Sequence, residues 1–195
     1  MKTILLRGPF LTSSGYGTHA RQIARWVLGK PNLSVFVQAL PWGDCSWILD
    51  RTTENGLIGR IMDRTVPCQQ KADMTFQVQL PNEWDPKLGA FNVGVTAAVE
   101  TDKCNRDWIA SCNAMDAVVV PSEHARACLQ NTGKPVFVIP EAFPDALKDG
   151  ARAESPDLLS KVDLVPEFNF LLVGQLTGNN ANNDRKNTYN TLKWM

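Results

Sequence analysis

Ile4-Leu5-Leu6-Arg7-Gly8-Pro9-Phe10-Leu11-Thr12-Ser13-Ser14-Gly15-Tyr16-Gly17 is the stretch that decides the fold of this chain. Its apolar start, Ile4 to Leu6, has the character of a short buried strand, and a turn rich in glycine and hydroxyl side chains follows. The periodicity then changes. Ala20, Ile23, Ala24, Val27 and Leu28 fall at i, i+3, i+4, i+7 and i+8, one continuous helical face. In a strand–turn–helix unit of this kind, glycines let backbone approach a ligand, and the helix start offers unpaired N–H groups. The dinucleotide pattern G-x-G-x-x-G is absent, because only Gly15-x-Gly17 is present and His19 and Ala20 follow. Gly15 and Gly17 therefore have two readings, a ligand-facing turn or a purely steric one.

Composition narrows the classes of function. The 195 residues carry 20 basic and 20 acidic side chains, for a net charge of zero, and no block of like charge stands out. A nucleic-acid binder or a polybasic membrane-surface protein would show a basic stripe, so neither partner is expected. Arg7 interrupts the first apolar run after four residues, too early for a signal peptide, and no run is long enough for a transmembrane segment. The five cysteines, Cys45, Cys68, Cys104, Cys112 and Cys128, include no C-x-x-C pair, which fits free thiols in a reducing cytoplasm. No cluster has metal-ligand spacing, so neither a metal nor a cofactor is expected.

Along the rest of the chain, apolar β-rich runs alternate with helical periodicity, which predicts an α/β fold: a mainly parallel, Rossmann-like sheet with helices on both faces. Strands are predicted near Thr3–Arg7, Ser34–Leu40, Met74–Leu80, Asn92–Ala97, Ala117–Val120, Pro135–Ile139 and Asn169–Val173. Helices are predicted at Thr18–Leu28, Asn105–Met115 and Glu123–Asn131, with a weaker one around Gly56–Arg64. From Phe143 to Glu167 the chain turns polar, with Pro144, Pro156 and Pro166 as punctuation. The organisation read from this is a first domain over 1–145, a linker over 146–167 and the incomplete beginning of a second domain over 168–195. An unfinished apolar strand at Asn169–Val173 would be a site of association, since it lacks neighbours.

Four segments in this order resemble the family 4 retaining glycosyltransferases of the GT-B fold. They are Gly15-Tyr16-Gly17; Pro81-Asn82-Glu83-Trp84; Val93-Gly94-Val95-Thr96-Ala97-Ala98-Val99-Glu100-Thr101-Asp102; and Asn113-Ala114-Met115-Asp116-Ala117-Val118-Val119-Val120-Pro121-Ser122. The run Leu171–Gly174 with Gln175, then Arg185-Lys186, resembles the opening of that family's second domain. The resemblance implies transfer of a sugar from a nucleoside diphosphate sugar to a hydroxylated acceptor, with retention. The first domain would take the acceptor and the second the donor. Such transfer builds negative charge on the departing diphosphate, and preplaced N–H donors and cations lower that barrier.

By this resemblance Arg185 and Lys186 clamp the donor diphosphate, and Gly15, Tyr16, Gly17, Glu100 and Thr101 line the acceptor side. The family's usual arginine is replaced by Gln175, and its acidic pair belongs to a distal part of the second domain that these residues do not include. A chain of this extent would be inactive alone. No catalytic residue is assigned. Bland readings stand beside these. Tyr16 can pack over the loop, Glu100 or Asp102 can cap the following helix, and His19 can be a solvent-facing or hydrogen-bonded helix residue. Trp42, Trp47 and Trp84 can pack or stack on sugar rings. Two other functions compete: a non-catalytic carbohydrate- or nucleotide-binding module, and a nicotinamide enzyme. The second is disfavoured because no acidic residue closes the second strand.

Overall fold

The computed structural model describes residues 1–99, 101–143, 168–172, 181–184 and 186–195. The chain divides into two compact units, Met1–Pro144 and Asp145–Met195. The first is a six-stranded, all-parallel sheet in the order β2-β1-β3-β4-β5-β6. The strands are β1 (Lys2–Gly8), β2 (Leu33–Ala39), β3 (Ala72–Val78), β4 (Gly89–Val95), β5 (Ala117–Val120) and β6 (Val136–Val138). Its helices are α1 (Gly15–Leu28), α2 (Thr53–Arg64), α3 (Arg106–Ala114) and α4 (Glu123–Cys128).

Register explains how the sheet is covered. Ile4 lies beside Val35 and Met74, Leu6 beside Val37 and Phe76, and Phe76 in turn beside Val93, so these side chains share a face. On that face Ala20, Ala24 and Val27 of α1 pack with Leu57, Ile58 and Ile61 of α2. The opposite face carries Val118 and Val120, packed with Cys112, Met115, Ala125, Leu129 and Trp84. Gly94 allows the last contact. A Cβ there would fall 2.6 Å from the Trp84 ring, so only glycine lets the indole lie against the strand.

The predicted elements form with boundary shifts. Two differences have physical causes. The helix predicted from Gly56 is preceded by a left-handed run, with φ of 53°, 56° and 78° at Glu54, Asn55 and Gly56, and regular helical geometry begins only beyond it. The strand predicted at Asn169–Val173 does not form over its described part. Residues 168–172 carry no strand, Phe168 and Phe170 meet each other edge to face at 4.9 Å, and Leu171 is 89% exposed. A strand needs a neighbour to take its backbone hydrogen bonds, and none pairs with this segment among the described residues. The association through a strand edge there loses its basis. Val173 and residues 145–167 lie outside the described residues. In the second unit a helix, α5 (Thr188–Trp194), closes the chain.

Gly17 is where α1 meets the turn that precedes it. A Cβ at this position would sit 2.7 Å from Thr12 Oγ1, 2.9 Å from the Pro9 carbonyl and closer still to the Thr12 carbonyl. Gly15 has no atom within 4 Å of the same ideal position. Gly17→Ala is therefore expected to cost about 3 kcal/mol, because backbone rather than a flexible side chain must yield. Gly15→Ala should change stability by less than ~1 kcal/mol. Denaturant unfolding of the two variants measures both; equal losses would contradict the steric assignment.

Candidate functional site

In an open parallel sheet, ligands bind beyond the carboxyl ends of the strands where the strand order reverses. Here the order reverses between β1 and β3, since β1 leads to β2 on one side and β3 lies on the other. Three loops meet there: Pro9–Ser14 after β1, Gln79–Glu83 after β3 and Thr96–Ala98 after β4.

The first loop is built by its own hydroxyl groups. Thr12 donates N–H and Oγ1–H to the Pro9 carbonyl, both at 3.0 Å, and its Oγ1 lies 2.8 Å from Ser14 Oγ. Ser14 Oγ accepts the Gly17 N–H at 2.9 Å and so caps α1. Inside the turn the buried Arg21 donates to the carbonyls of Phe10 (3.2 Å) and Thr12 (2.8 Å) and pairs with Glu54. The segment Leu40–Asp50 supports the loop from outside through a Thr12–Trp47 bridge and the Ile48 N–H on the Leu11 carbonyl at 2.7 Å.

Tyr16 joins this loop to the end of β4. Its hydroxyl lies 3.0 Å from Thr96 Oγ1 and accepts the Ala97 N–H at 3.1 Å, while its ring stacks on Trp42 with centroids 4.2 Å apart. Burial raises the phenol above its ordinary value despite those two bonds, so it is neutral at physiological pH. The next residue, Ala98, sits at φ 61°, a conformation an L side chain adopts at a cost of roughly 1–2 kcal/mol. Local strain of this kind clusters at functional loops.

The site residues read from sequence fall out unevenly. Gly15 is exposed at the start of α1, and open space lies in front of it. Gly17 is buried and steric. Tyr16 packs across the cleft floor with its hydroxyl already engaged. Thr101 is exposed; its Oγ1 donates to the Lys103 carbonyl at 3.3 Å, and its own carbonyl takes the Cys128 thiol at 3.1 Å. The cap of α3 is Asn105 rather than Asp102, its Oδ1 accepting the Trp108 N–H at 2.8 Å. Trp84 is a core residue, whereas Trp47 is 47% exposed beside the glycine loop. Glu100, Gln175 and Arg185 lie outside the described residues. In the second unit Lys186 is exposed at the surface, and buried Asp184 accepts the N–H groups of Lys186 (3.1 Å) and Tyr189 (2.7 Å).

Arg7 at the switch point escapes a sequence reading, and so does the burial of His19. Arg7, next to last in β1, bonds Gln79 Oε1 and donates to the Glu83 carbonyl at 2.7 Å, placing a half-buried cation between β1 and β3. Burial lowers its pKa, and Asp85 and Glu83 oppose that. His19, read as solvent-facing or hydrogen-bonded, is instead buried, with Nδ1 3.4 Å from Glu141 Oε1. The only sequence signal was its spacing: His19, Ile23 and Trp26 stand at i, i+4 and i+7. Among the described residues no group of three or more His, Cys, Asp or Glu side chains is placed to hold a metal, and no helix is long and apolar enough to cross a membrane. All five cysteines are free thiols, and burial pushes Cys112 up to about 12. No protein-family model, curated protein or solved structure matches this chain.

His19 gives the site a pH signature. Burial lowers its folded pKa below 6.5, and Glu141 only partly opposes the shift. The unfolded chain then binds a proton that the folded chain refuses, so stability rises with pH through this window. Stability is expected to be at its plateau above pH 6.5 and to fall as pH drops toward the lowered folded value. In His19→Gln that part of the slope should vanish, as urea unfolding at a series of pH values will show. An unchanged slope would assign it to other groups.

Proposed function

We propose that the chain is the acceptor-side half, with the opening of the donor half, of a retaining GT-B glycosyltransferase that uses a nucleoside diphosphate sugar. One observation carries the reading. The start of α1 with Gly15 and Tyr16, the loop Gln79–Glu83 and the loop Thr96–Ala98 meet beside the β1/β3 switch point, and each overlaps a segment on which the family resemblance was drawn. Distant stretches of sequence that share a function should converge on one edge, and these do.

In this reading Gly15 keeps the approach to the start of α1 open for an acceptor hydroxyl. Trp47 offers an exposed ring beside it, and Thr101 lies on the loop beyond β4. Tyr16 is a positioning residue, because its hydroxyl is already committed to Thr96 and Ala97. Donor charge falls to Lys186 together with Arg185. The five free thiols suit a reducing compartment, and a cytoplasmic enzyme fits them. A carbohydrate- or nucleotide-binding module without chemistry is the second reading, and Gln175 in place of the clamping arginine favours it.

Gly15→Val is the informative variant. The open space in front of Gly15 means a β-branched side chain costs the fold little, so the melting temperature should move by no more than about 3 °C. Binding of a hydroxylated acceptor, screened by calorimetry against a panel of sugars and glycosides, should weaken at least roughly tenfold. Lys186→Ala should instead weaken nucleoside diphosphate binding alone. Full acceptor affinity in a folded Gly15→Val chain would overturn the assignment.

A further inference from the structure

On the face covered by α1 and α2, a cavity of about 360 Å³ lies between α1, the sheet and the segment that leaves β6. The helix contributes Ile23 and Trp26, and the sheet contributes Phe76, Val95 and Val119. The third wall is a strap, Ile139–Ala142, that folds back over α1. Two bonds pin it: Gln22 Nε2 donates to the Ala142 carbonyl at 2.7 Å, and the Ala142 N–H donates to Gln22 Oε1 at 2.8 Å. The volume is that of a small-molecule site, and the walls are largely hydrocarbon.

Two polar side chains break that lining, Gln22, whose amide is engaged with Ala142, and His19. The His19 side chain is 7% exposed, and its Nδ1 faces Glu141 on the strap. Nδ1 is the nitrogen that a neighbouring carboxylate keeps protonated, which leaves Nε2 as a lone-pair acceptor. Nε2 has no hydrogen-bond partner among the described residues. An acceptor on the wall of a cavity, screened from bulk water, selects for a donor. An anion is disfavoured twice, by the Nε2 lone pair and by Glu141. A peptide segment is disfavoured as well, because its N–H and C=O groups would find few partners on these walls.

We propose that this cavity binds a compact apolar molecule bearing a hydroxyl group, its hydrocarbon body against Ile23, Trp26, Phe76, Val95 and Val119 and its hydroxyl donating to His19 Nε2. That this molecule is the sugar acceptor rests on the glycosyl-transfer reading; the site itself does not.

The test uses the 195-residue chain with three probes of one shape, 2-naphthol, 2-methylnaphthalene and 2-naphthoate, followed by equilibrium dialysis. 2-Naphthol should bind saturably, one per chain, and roughly tenfold more tightly than 2-methylnaphthalene, with 2-naphthoate weakest. His19→Phe should erase the preference for the hydroxyl and keep the hydrocarbon binding. Val119→Trp, which fills the cavity, should abolish binding of all three. Ile23→Trp serves the same purpose if Val119→Trp loses its far-ultraviolet circular dichroism. Absence of saturable binding overturns the proposal, as does binding indifferent to a folded filler variant. So does a filler variant whose only change is the mass of the particle in solution, which would mark the face as a contact between copies. No sugar or nucleotide enters this experiment, so its failure leaves the Gly15 variant to decide the transferase reading, and the reverse holds.

Discussion

Inside the Pro9–Ser14 turn, Arg21 places a cation where the backbone has left strand geometry and not yet entered a helix. The carbonyls of Phe10 and Thr12 would otherwise face an apolar interior, and each receives a guanidinium N–H instead. A buried cation needs a counter-charge, because desolvation alone would expel it. Glu54 supplies that charge, and Arg25 holds the same carboxylate at 2.8 Å. The left-handed run Glu54–Gly56 is what brings the carboxylate into reach, so a strained turn at the start of α2 is the counterpart of a neutral, well-shaped turn after β1. The glycine loop, α1 and α2 are thus one electrostatic unit, and the shape of the cleft floor depends on it.

From that unit the cleft is assembled by short polar contacts more than by burial. Ser14 caps α1, Tyr16 reaches Thr96 and Ala97, and Arg7 ties β1 to the loop after β3. Each of these hydroxyl or guanidinium contacts contributes on the order of 1 kcal/mol. Together they set positions that an apolar core of the same size would leave loose. The hydrophobic clusters carry the stability of the two faces, and the polar contacts determine where the loops stand.

The sheet was legible in the chain because its signals are local. Unalternating apolar runs such as Val118–Val120 mark strands buried on both faces, and the period of Ala20, Ala24 and Val27 marks a helix seated on them. Ser122 stands directly before α4, the place of a capping hydroxyl, and its Oγ accepts the Ala125 N–H at 3.1 Å. The site was harder to read because its key contacts join positions far apart in the chain. Nothing near Tyr16 announces a bond to Ala97, and nothing near His19 announces Glu141. The two glycines looked equivalent in sequence, yet Gly17 is held by the carbonyls of its own turn while Gly15 faces open space; only the packing separates them. The apolar segment after Glu167 misled for the opposite reason. Its composition suits a strand, but a strand is made by its neighbour, and no described strand forms a ladder with residues 168–172.

The Gln22–Ala142 pair joins residues 120 positions apart, with five of the six strands, β2 to β6, between them in the chain. Such a contact repays its loop-closure entropy only after the intervening strands are in register, so the strap closes last in folding. By the same accounting it is the first piece free to lift. Among the described residues the Gln22 pair, the Ile139 N–H on the Val120 carbonyl and the His19–Glu141 contact hold it, against the many bonds that hold each strand, so it has the character of a sub-global opening rather than of global unfolding. In amide exchange the Ala142 N–H would then report a free energy well below that of β1. The cavity would have a door that moves while the sheet stays folded.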